Sequence, residues 1–180
     1  MMKKTLAIAT ALVLALASGC ASGPNYEDAA NSKLIQANYD AVESLLASAH
    51  GRLDKNLPIV VATLVNVDAL TESSRFGRAL SEQVSAKFTK LGYSVVELKL
   101  RENIFVKQSE GEFLLSREVR DISRNHNAQA VVAGTYAESR DYVYVNLKLI
   151  GIHDNIIIAA HDYVLPVDSN IKSLLKPGRF

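Results

Sequence analysis

The chain has 180 residues, 20 lysines and arginines against 19 aspartates and glutamates, and one cysteine. A formal charge of +1 leaves no electrostatic footprint for nucleic acid or an anionic lipid surface. A lone cysteine excludes an internal disulfide, so the fold must rest on a hydrophobic core, which this length is ample to build.

Residues 1–19 read as a targeting segment. Lys3 and Lys4 open it, an apolar run from Leu6 to Ala17 follows, and Ser18-Gly19 precede Cys20. The run is 12 residues, well short of the roughly 20 that span a bilayer. A cysteine directly after small residues resembles the lipobox of bacterial lipoproteins. In that family the signal is removed before the cysteine, which is acylated on its sulfur and new amino group. The alternative is an ordinary secretory signal cleaved near Ala17 or Ala21, leaving a free thiol. Acylation by two or more chains holds a protein on a membrane at about 0.8 kcal/mol per buried CH₂ without crossing it. Ala21 and Ser22 include no aspartate, the usual inner-membrane retention signal. The resemblance therefore implies the outer membrane, inner leaflet, with the domain facing the periplasm. Loss of residues 1–19 leaves 161 residues and a charge of −1.

Residues 20–26 read as a lipidated tether, small, polar and broken by Pro24. The domain is expected over 27–168, with a tail over 169–180. Leu34, Ile35, Ala41, Val42, Leu45, Leu46 and Ala49 recur at three- and four-residue spacing and predict a helix over 27–50, stopped by Gly51. Pro58 opens a strand from Ile59 to Val65, apolar on both faces. Ser74 caps a helix through Leu91 with Phe76, Leu80, Val84 and Phe88 on one face, and Gly92 ends it. Tyr93–Leu98 is the next strand. Residues 99–112 are irregular, with Ile104 and Val106 as a short edge. Ser116 caps a third helix carrying Val119, Ile122 and His126 inward, with Asn127 as its stop. Strands over 129–137, 142–150 and 156–165 complete the chain, the last two joined near His153-Asp154-Asn155. The predicted fold is a single-domain α/β mixed five-stranded sheet (β-α-β-α-β-β-β), with two crossover helices on one face and an additional N-terminal helix.

In the fourth strand Val143, Val145, Leu147 and Leu149 point one way and Tyr142, Tyr144, Asn146 and Lys148 the other. The second set forms either a solvated sheet face or a partner interface, centred on Tyr142, Tyr144 and Lys148. Self-association through the same face is also open. The four histidines lie at no metal-ligand spacing, and HExxH is absent. His161-Asp162 could orient an imidazole, but there is no GxSxG elbow and no phosphate-binding glycine loop. The chain is accordingly expected to be non-enzymatic and to need no cofactor or metal.

Gly92-Tyr93, Val96-Glu97, Leu100-Arg101, Ile104, Gly111-Glu112, Leu115-Ser116-Arg117-Glu118 and the strand Val131–Tyr136 with Gly134-Thr135-Tyr136 resemble the FlgO family of flagellum-associated outer-membrane lipoproteins. The likeness covers roughly residues 35–165. It implies a small α/β domain of the kind seen in other envelope proteins, with flagellar or other cell-envelope proteins as partners and a role in flagellar assembly and motility. It brings no catalytic residues. The alternative role is a periplasmic lipoprotein regulator or adaptor of a cell-wall synthase or secretion channel, using the same fold as a binding module. Arg101, Glu112 and Arg117 either form a salt-bridge network over the 99–112 segment or contact a partner.

Overall fold

The computed structural model describes residues 32–70, 72–98, 105–106 and 114–176. The signal segment, Cys20, the tether, Arg101, Ile104 and Glu112 lie outside them. Among the described residues no helix is long and apolar enough to cross a membrane. The elements run α1 (Lys33–Ser48), β1 (Ile59–Ala62), β2 (Val65–Asn66), α2 (Arg75–Lys90), β3 (Val95–Leu98), β4 (Phe105–Val106), β5 (Leu114–Leu115), α3 (Arg117–Asn125), β6 (Ala130–Glu138), β7 (Tyr142–Gly151), β8 (Ile157–Pro166) and α4 (Ser169–Leu175). The main sheet has the order β3-β1-β6-β7-β8. Its first three strands pair in parallel and its last three antiparallel. The expected mixed α/β sheet is therefore present, and β4 and β5 add a separate antiparallel pair.

The expected helix signals act as read. The Ser74 Oγ accepts from the Gly77 N–H at 2.9 Å, and the Ser116 Oγ from the Val119 N–H at 3.3 Å. Gly92 takes a φ of +87° at the end of α2. His126 differs from expectation: it is the C-cap residue, past the last helical residue Asn125, and is exposed rather than inward.

Three other features differ from the sequence expectation. The strand expected from Ile59 to Val65 is broken at Thr63-Leu64, and β2 resumes beside β6. The start of α2 presses into this break. A Cβ on Gly77 would stand 1.9 Å from the Leu64 carbonyl oxygen. The Leu64 side chain in turn lies over Gly134, where a Cβ would be 2.9 Å from Leu64 Cγ. Both glycines are there for close approach rather than for unusual dihedrals.

The second difference is the placement of the helices. α1 and α2 share one face with α4, over Ile59, Val61, Val132 and Leu147. α3 lies on the other, with Val119 against Val60, Ala62, Val131 and Ala133. The crossover from β1 to β3 runs one way along the sheet, and that from β3 to β6 returns past β1. Right-handed connections in opposite directions put their helices on opposite faces. The expectation of both crossover helices on one face is corrected accordingly.

The third is the chain end, expected as a tail from 169. The Asp168 carboxylate accepts from the Ile171 N–H at 2.8 Å, starting α4, and Ile171 is buried in the core. The Arg75 guanidinium donates to the Ser173 and Lys176 carbonyls and so closes the other end of α4.

α1 is fastened by more than its apolar stripe of Ala41, Val42 and Leu45, which Ala49 extends just past the helix end. The fully buried Asn38 amide donates to Gln83 of α2, and its oxygen accepts from the Tyr163 hydroxyl of β8. Lys87 pairs with Glu43 at 2.5 Å. Burial pushes the Tyr163 phenol well above its ordinary range. It also raises Tyr136, against the opposing hydrogen bonds with the Ser74 and Asn66 side chains.

Two outcomes follow. Gly77→Ala should lose roughly 2 kcal/mol or more in urea unfolding, since the new methyl meets backbone that cannot swing aside. The two raised phenols keep their protons in the folded chain where the unfolded chain sheds them. Their contribution is complete below about pH 10 and is lost as pH rises beyond it. Unfolding free energy should thus be level between about pH 7 and 9 and fall above about pH 10, and Tyr163→Phe should blunt that fall.

Candidate functional site

β7 divides its side chains as the alternation requires. Val143, Val145, Leu147 and Leu149 are buried toward α1 and α2. Tyr142 and Tyr144 on the opposite face are 48% and 52% exposed. β8 doubles this surface. Pro166 lies opposite Tyr142, Val164 opposite Tyr144, Asp162 opposite Asn146 and Ala160 opposite Lys148. All four of these β8 residues are exposed. One end of the patch is aromatic and apolar, through Tyr142, Tyr144, Val164 and Pro166. The other is polar, and there the Asn146 amide donates to the Asp162 carboxylate. A depression of about 280 Å³ adjoins it, lined among others by Val67, Thr135, Ala137, Tyr144, Asp162 and Val164.

The patch is bare because of the topology. α3 has nine residues, about 13 Å of helix. Val119 of this helix shares its buried cluster with Val60, Ala62 and Val131 of the parallel half and with Ile150 of β7. Among the described residues, the helices on the antiparallel half lie on its other face. Aromatic area with a few fixed polar groups is the make-up of a contact surface.

The expected site residues are only partly brought together. Tyr142 and Tyr144 are adjacent on one face. Lys148 shares it but is half-buried and four residues along the strand from Tyr144, roughly 13 Å away. Arg117 is the first residue of α3. Arg101 and Glu112 lie outside the described residues, as does Cys20. Val164, Asp162 and Pro166 were missed by sequence reasoning, because in β8 both alternating sets mix polar and apolar residues and no face stands out as it does in β7.

Among the described residues the histidines form no reactive constellation. His161 faces the α1 side and stacks on Tyr163 with ring centroids 6.2 Å apart and planes 16° from parallel. Asp162 points to the opposite face, so the orienting pair suggested by their adjacency is not formed. His50, His126 and His153 are exposed. Among the described residues no cluster of three histidine, cysteine or acidic side chains could hold a metal ion.

The family model described as FlgO protein matches residues 39–170. No curated protein matches the chain. Among solved structures the chain is similar to the C-terminal domain of LpoB from Salmonella enterica, at 14% identity and a TM-score of 0.53. That match covers 74% of this chain and 98% of that domain. The LpoB C-terminal domain from Escherichia coli matches at 16% identity and a TM-score of 0.51, over the same shares of the two chains. At these identities the likeness shows a shared fold.

The double change Tyr142→Ser, Tyr144→Ser tests the patch. Side chains in contact only with water should shift unfolding free energy by about half a kcal/mol or less each. An intact melting transition together with lost assembly or function identifies the patch as an interface. A folded, fully functional double variant would remove it from consideration.

Proposed function

The chain belongs to the FlgO family, and from that premise we propose that it is an outer-membrane-anchored lipoprotein serving the flagellum as a non-enzymatic structural or assembly factor. The observation that carries this reading is the family match across 39–170 in a chain that also carries the lipobox-like run ending at Cys20. Acylated Cys20 supplies the attachment. The short tether expected over residues 20–26 then joins it to the domain. The domain would therefore work close to the periplasmic face of the membrane. It would engage flagellar or other envelope proteins through a preformed surface, for which the Tyr142–Tyr144 patch is the candidate.

A Cys20→Ser variant separates the parts of this proposal. It should move from the membrane fraction to the soluble fraction, and cells carrying it should lose motility. Equal membrane retention at normal expression would sink the anchor. Release from the membrane with normal motility but a weakened cell wall or blocked secretion would point instead to an adaptor of a cell-wall synthase or secretion channel.

A further inference from the structure

β8 is an outer strand of the sheet, and its backbone pattern follows from one hydrogen bond. The Val167 N–H donates to the Asp141 carbonyl at 2.9 Å, and the same register continues unbroken to Leu149 opposite Ala159. Alternate pairs of an antiparallel ladder exchange both hydrogen bonds. Ala159, His161, Tyr163 and Leu165 therefore turn their backbone groups toward β7, and Ala160, Asp162 and Val164 turn theirs outward.

The edge is stopped at both ends. The Ile158 carbonyl accepts from the Arg52 guanidinium. Pro166 has no N–H, and its carbonyl accepts from the Asp168 N–H at 3.0 Å. Between these stops the outward N–H and C=O groups of Ala160, Asp162 and Val164 meet no hydrogen-bonding partner among the described residues. Such a row is a template for another strand. The side chains of the same three residues lie on the tyrosine-bearing face. Asp162 is central, its carboxylate held by Asn146, with Val164 and Tyr144 to one side and Ala160 to the other.

We propose that the window Ala160–Val164 takes an extended segment of a partner protein by strand addition, and that this segment places a lysine or arginine opposite Asp162 with an apolar residue two positions to either side. The single carboxylate in the middle of an otherwise apolar window sets that preference. A second copy fits less well. Antiparallel self-pairing over the whole window sets Asp162 directly against its own counterpart, and like charges opposite one another oppose pairing. The inference rests on reading the domain as a binding module and not on the flagellum.

The probe is a capped peptide, Thr-Val-Thr-Lys-Thr-Val-Thr, added at millimolar concentration to the full chain purified in detergent. Amide hydrogen exchange at Ala160, Asp162 and Val164 is the readout. The lysine peptide should slow exchange at these amides, and its glutamate counterpart should bind about fivefold more weakly. Asp162→Lys should reverse that order. Val164→Pro removes an outward N–H without touching the β7 ladder, so it should abolish binding at an unchanged melting temperature. The charge reversal stands as a separate test should the proline variant fold poorly. Equal binding of both peptides, no protection of these amides, or protection that appears with protein concentration in the absence of peptide would overturn the proposal, the last by showing a second copy on the edge. Membrane release and motility of Cys20→Ser do not enter these readouts, so failure of the anchor reading and failure of this one are distinguishable.

Discussion

The contact between Gly77 and the Leu64 carbonyl sets how closely α2 lies on the sheet, and the rest of the packing is hung on α2. Its first turn reaches into the gap between β1 and β2, where the Ser74 hydroxyl serves both the Gly77 N–H and the Tyr136 phenol. Phe76 then meets the Tyr136 ring edge-on at 5.0 Å. Arg75 on the same turn closes α4, and Gln83 and Lys87 further along hold α1. A helix lifted by the width of a methyl group would disturb each of these together, because cores packed to crystal-like density have no slack to absorb it.

Topology then decides which surface is left uncovered. Helices follow the parallel strands because only parallel neighbours need crossovers. The β6-β7-β8 meander brings none of its own. α1 and α4 cover it from one side, and the other side keeps Tyr142, Tyr144 and Val164 in water. The result is a domain with a closed front and a half-open back, and the open half is also the half that ends in a ten-residue outer strand.

Much of this was legible residue by residue. Ser74, Gly92, Ser116 and Asn127 announce helix limits through local backbone chemistry, and the two-residue alternation of β7 announces its two faces. What escaped depends on distant partners. Ile59–Val65 reads the same whether or not it breaks at Leu64, since the break is dictated by Gly77 thirteen residues on. The face taken by α3 depends on strand order, which neighbouring residues do not encode. α4 is too short for periodicity to reveal, although Asp168 three residues before Ile171 was a visible cap. The tyrosine patch was half-read: β7 carries it plainly, whereas β8 mixes Ala160, Asp162 and Val164 with half-buried His161 and Tyr163 and so blurs the pattern. The outward hydrogen-bonding groups of β8 have no signature in side chains at all.

Asn38 has a mechanical consequence. A force entering along the chain at Lys33 loads the first turn of α1. That helix runs antiparallel to β8, with Asn38 joined to Tyr163 near the far end of the strand and Arg52, just beyond the helix, joined to Ile158 near its beginning. A pull along the helix axis therefore loads these bonds, the Glu43–Lys87 pair and the apolar stripe simultaneously, in shear. A pull away from the sheet would instead peel the helix turn by turn. The fastening of α1 makes the domain strongest against drag parallel to the strands and weakest against traction perpendicular to them.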